Sequence, residues 1–73
     1  MVPDNTTLAM VPGDAVASGS QMLPDAATAT EETMMATVDA AHAGRVTITY
    51  QRKRYRHGKS VMWFWRAVSA VKA

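Results

Sequence analysis

No cysteine occurs in the 73 residues, which excludes disulfides and thiolate metal sites. That absence fits a reducing compartment, and a cytoplasmic location is the expectation. No apolar run approaches the roughly 18 consecutive residues that span a bilayer as a helix, so integral membrane association is not expected. The first residues show neither a basic segment nor an apolar stretch of the kind that forms a cleaved secretory signal. Aromatic residues are missing before Tyr50, acidic residues are missing after Asp39, and Lys and Arg are missing before Arg45.

These absences expose the strongest signal in the chain. Asp4, Asp14, Asp25, Glu31, Glu32 and Asp39 give residues 1–44 a formal charge of −6. Arg45, Arg52, Lys53, Arg54, Arg56, Lys59, Arg66 and Lys72 give residues 45–73 a charge of +8, and the net +2 hides this dipole. All five large aromatics (Tyr50, Tyr55, Trp63, Phe64, Trp65) share the basic part. A basic, aromatic segment points to a polyanion or an acidic partner surface. A chain this short makes one domain, and a core of this size rarely supplies more than about 3–5 kcal/mol. Self-association or partner binding is the expected reinforcement.

The expected fold class is α+β: a small single domain with one short helix packed on an antiparallel β-hairpin and a disordered acidic N-terminal tail. Pro3, Pro12 and Pro24, with Gly13 and Gly19, break helical periodicity, so residues 1–27 read as that tail. Residues 28–73 form the module. Thr28 and Glu31 match a capping box, Met34 or Met35, Val38 and Ala41 or His42 recur at helical spacing, and Gly44 stands where a left-handed cap belongs. The helix is therefore expected near 29–43.

A hairpin is expected near 45–69. Val46, Ile48 and Tyr50 alternate with Thr47, Thr49 and Gln51 before the run Arg52-Lys53-Arg54-Tyr55-Arg56. His57-Gly58-Lys59 reads as a tight connection with Gly58 at positive φ. In the second strand Val61, Trp63, Trp65 and Ala67 share one face, and Met62, Phe64, Arg66 and Val68 the other. A helix starting at Ser60 fits the same residues, because short apolar runs are ambiguous by period alone.

The candidate site is Arg52, Lys53, Arg54, Tyr55, Arg56 and Lys59, joined by His57. Cations at this density neutralise phosphates and release counterions, and Tyr55 can stack on an exposed base. A two-stranded ribbon is also narrow enough for a DNA major groove. The plainer reading is that the charges solvate a protruding hairpin and block edge-to-edge aggregation. Trp63, Phe64, Trp65 and Arg66 are the candidate protein interface, either with the Trp pair against the helical Met stripe and Phe64 outward, or with the two faces exchanged.

Other chemistries fare worse. Gly58-Lys59-Ser60 resembles the end of a phosphate-binding loop, but Lys53 stands where its first glycine belongs. Asp39 and His42 sit one helical turn apart, too few ligands for a metal. Glu31 and Glu32 suit helix capping better than acid–base work, and Ser60 has no base-and-orienter set. No catalytic residue, metal or cofactor is therefore expected. Function is expected to be nucleic-acid binding by the basic hairpin, with about five phosphates engaged and a salt slope near −4 to −5. The alternative is an accessory or inhibitor protein docking on an acidic surface of a larger complex. A third reading, peripheral binding to anionic lipid, requires residues 60–72 to be an amphipathic helix. The acidic half is also a candidate autoinhibitor that folds back on the basic half.

Overall fold

Val46, Ile48 and Tyr50, the alternating apolar residues, mark the centre of the fold. In the computed structural model, which describes residues 8–41 and 44–73, all three are fully buried. They lie on β2 (Gly44–His57), the middle strand of a three-stranded antiparallel sheet ordered β1-β2-β3. Strand β1 is Thr33–Ala40 and β3 is Ser60–Lys72. A short 3-10 turn, Leu8–Met10, and helix α1, Gly13–Gln21, cover one face of the sheet. The class is thus α+β, one short helix on antiparallel strands, as the composition implied.

Two element assignments differ from the sequence expectation. The helix lies at Gly13–Gln21, inside the segment read as a disordered tail, and residues 33–40 form a strand rather than a helix. Residues 1–7 of that expected tail, and His42 and Ala43, lie outside the described residues. The capping box does not form. Thr28 instead closes a turn on Asp25, with its backbone N–H and its hydroxyl both donating to the Asp25 carbonyl. Glu32 is drawn to Arg52. In β1, Ala36, Val38 and Ala40 alternate onto the core, and the sheet supplies the burial that an isolated short helix lacks.

Helix α1 is poor in helix formers and owes its place to packing. Pro12, with extended backbone, sits at its N-cap, so the missing N–H costs nothing there. Ala15 and Gly19, one turn apart, are buried against the sheet. A Cβ at Gly19 would collide with the Tyr50 hydroxyl, so the glycine is what lets the Tyr50 ring reach the helix. That hydroxyl donates to the Val16 carbonyl at 2.7 Å. Burial pushes the Tyr50 phenol above its ordinary pKa. Val11, Ala70 and the alanines of β1 complete a core of small residues, bordered by Leu8, Leu23 and Trp65.

The register sets the two faces of the sheet. Ala36, Ile48 and Ala70 are aligned on the core face, while Thr37, Thr47 and Val71 are aligned on the other. Between β2 and β3 the pairing passes from Thr49–Ser69 to Tyr50–Ala67, which leaves Val68 as an extra residue, a β-bulge. Beyond it Ala67, Trp65, Trp63 and Val61 lie on the helix side, opposite Tyr50, Arg52, Arg54 and Arg56. The helix alternative for residues 60–72 is replaced by strand, which removes the amphipathic helix that lipid binding required. No helix among the described residues is long and apolar enough to cross a membrane.

Candidate functional site

Strand β1 is shorter than its neighbours, and this makes the site. Its ladder ends at Thr33–Gln51, followed by one last bond from the Arg52 N–H to the Glu32 carbonyl at 2.8 Å. Past that point β2 and β3 continue as a two-stranded arm, pairing Lys53 with Phe64, Arg54 with Trp63, Tyr55 with Met62 and Arg56 with Val61. The fourteen residues of β2 account for a span of about 44 Å, close to the longest dimension of the molecule, 46 Å. Gly58 and Lys59 form the tip, with Gly58 at φ 62° and no other positive φ in the turn. Glycine at the first of two central positions is the type II′ pattern, whose twist matches that of paired strands.

Arg52 anchors the arm and is not displayed on it. Its side chain is only 14% exposed. The Nε donates to the Ala26 carbonyl at 2.6 Å, one terminal nitrogen reaches Glu32 Oε1 at 3.2 Å, and the guanidinium lies 3.8 Å from the Trp63 ring centre. Trp65 makes a parallel link, its indole N–H donating to the Pro24 carbonyl at 2.7 Å. Together they pin the connection between α1 and β1 across the sheet. The Trp pair therefore faces the side covered by α1, not a helix at 29–43, and both rings are half-buried. Trp65 meets the core and the connecting segment, and Trp63 meets the Arg52 guanidinium, rather than a row of helical methionines.

The cations displayed on the arm differ from Arg52. Among the described residues no acid pairs with Lys53, Arg54, Arg56, Lys59 or Arg66. A second ion pair, Arg45–Asp39 at 3.7 Å, is well exposed and sits at the opposite end of β2 from the arm tip. Arg54, directly opposite Trp63, lies 5.9 Å from its ring centre, so two guanidiniums approach that ring. The acidic half of the chain is thus used as structure where it is described: Glu32 holds Arg52, and the Asp14 and Asp25 carboxylates accept local backbone N–H groups.

The two faces of the arm differ. The helix-side face carries Arg54, Arg56, Trp63 and Val61. The opposite face, which no helix among the described residues covers, carries Lys53, Tyr55, His57, Met62 and Phe64, with Arg66 and Gln51 at its root. Tyr55 is 52% exposed and Phe64 44% exposed. The Tyr55 and His57 rings are stacked, 6.1 Å apart and 19° from parallel. Met62, directly opposite Tyr55, is a neighbour that the sequence reading did not place in the site; its shared parity with Phe64 was the available signal.

Gly58-Lys59-Ser60 leads into a strand and no helix follows, so it lacks the helix N-terminus that a phosphate-binding loop uses. The described residues enclose no pocket and bring no three His, Asp or Glu side chains together as metal ligands. Chemically, the arm offers mobile cationic heads and flat rings on a convex surface. No protein-family model matches the chain, and no curated protein or solved structure shows significant similarity to it.

Proposed function

We propose that the protein is a small, non-enzymatic nucleic-acid-binding module that works through its projecting arm. One observation carries the reading: Lys53, Arg54, Arg56 and Lys59 stand on a ribbon that outruns the rest of the sheet, and none has a described carboxylate partner. Cations held away from a protein's own acids are available to neutralise phosphates. Tyr55, beside them, is positioned to stack or to fix the backbone. Arg52 supports the arm from within. Four phosphate contacts rather than five correspond to a slope of log affinity against log salt of about −3 to −4 on duplex DNA. Titration of a labelled oligonucleotide at several salt concentrations tests this; a slope near zero rules it out.

A second reading, docking on an acidic protein surface, is favoured by β3. It is an edge strand along its full length and carries the exposed Val61, Met62, Phe64, Val68 and Val71. Phe64→Ala would then weaken the partner more than alanine at Arg54 and Arg56. Pull-down with each variant separates the two readings.

A further inference from the structure

We infer that the arm takes its nucleic acid as a single strand, with unpaired bases seated on the open face at Tyr55, His57 and Phe64. This rests on the nucleic-acid reading above and specifies its ligand. The argument starts from the division of residue types between the faces. The guanidiniums of Arg54 and Arg56 lie on the helix side with Trp63, and the accessible rings lie on the other side with Lys53 and Arg66. A duplex hides the faces of its bases and offers only edges and phosphates, so exposed rings would gain nothing from it. An unpaired base offers a flat face to each ring.

Spacing supports the same conclusion. Tyr55 and His57 are two residues apart on one strand face, a step of about 6.8 Å, twice the 3.4 Å step of stacked bases in a duplex strand. Bases seated on successive rings are therefore pulled off one another, which only a single strand permits. The two rings are already near parallel, 6.1 Å apart, so the platform is ordered before ligand arrives. Lys53 stands opposite Phe64, and Arg66 opposite Gln51 one step nearer the root, which flanks the rings with positive charge. Met62 fills the position opposite Tyr55 and gives the platform an apolar floor. The charge on this stretch is of one sign, because no acidic residue follows Asp39.

The test compares an oligothymidylate of about twelve nucleotides with a blunt duplex of equal length, by fluorescence anisotropy at matched salt, using the full chain. The single strand should bind more tightly. Tyr55→Ala should weaken single-strand binding by about 5- to 100-fold, leave duplex binding and the salt slope unchanged, and be rescued by Tyr55→Phe. Circular dichroism confirms that each variant is folded. Equal affinity for both forms, with Tyr55→Ala silent on each, overturns the single-strand inference and leaves the nucleic-acid reading standing. Binding of neither form at any ionic strength overturns both.

Discussion

Tyr50 and Val16, 34 positions apart, are joined by a 2.7 Å hydrogen bond that ties the middle strand to the helix above it. The bond is made by the largest fully buried side chain in the molecule. In a core built mostly of alanine and valine, this bond adds to the burial of Ala15 and Gly19 in coupling α1 to the sheet.

Tyr50→Phe should lower stability by about 1 kcal/mol in urea unfolding at neutral pH, the usual net value of such a bond. The pH dependence should differ as well. Burial raises the phenol pKa in the folded state, so the folded form holds this proton more tightly than the unfolded form. The resulting stability is complete below the unfolded value, about 10, and is lost as pH rises from there through the folded value. Wild type should therefore lose stability above about pH 10 more steeply than Tyr50→Phe.

Gly19→Ala sets two effects against each other. Alanine gains about 1 kcal/mol in helix propensity. Its Cβ, however, would overlap the Tyr50 hydroxyl and stand 3.2 Å from the ring carbon that bears it, and overpacking costs about 1–3 kcal/mol. The substitution should destabilise wild type. In a Tyr50→Phe background, where the clashing oxygen is gone, it should be close to neutral, and a double-mutant cycle reads the difference.

Arginines on the same face of one strand should behave oppositely. Arg52→Lys keeps the charge but loses the forked contacts to Ala26 and Glu32 and the stacking on Trp63, so thermal unfolding should fall with a cost of about 1–3 kcal/mol while the salt slope holds. Alanine at both Arg54 and Arg56 should leave Tm nearly unchanged and make the slope shallower by about 2. If Arg52→Lys lowers the slope and spares Tm, the anchoring role is wrong.

Gly58→Ala places a side chain at φ 62°, which costs about 1–2 kcal/mol. The tip lies beyond the core, so global unfolding should shift little. Amide exchange should quicken from Arg56 to Val61, and oligonucleotide binding should weaken with it.

The hairpin was legible because its signals were local. Val46-x-Ile48-x-Tyr50 marked the strand, Gly58 marked the turn, and the shared parity of Trp63 and Trp65 put both on one face, while which face is covered depends on the Val68 bulge. The first half misled because its local signals lose to long-range ones. Pro12, Gly13 and Gly19 look like helix breakers, yet Pro12 lies just outside the helix and Gly19 is the contact point for a ring 31 positions away. Thr28 and Glu31 look like a cap, but Arg52 and the free edge of β2 offered residues 32–40 better partners. Arg52 was grouped with its neighbours by charge; only its position opposite Trp65, at the root of the arm, shows that it serves the fold. Deleting residues 1–27 to probe autoinhibition would remove α1 and the Ala26 carbonyl, so reversing the charge of Glu31 is the cleaner experiment.

Val68 acts as a phase shifter. Strict alternation running back from Ala70 would send Arg66, Phe64 and Met62 beneath the helix and turn both indoles to the bare side. Taking Val68 into the regular ladder would therefore exchange the two faces of distal β3, whereas deleting Val68 would leave regular alternation with Trp63 and Trp65 still on the helix side. The identity of the recognition surface is held in that bulge as much as in the side chains themselves.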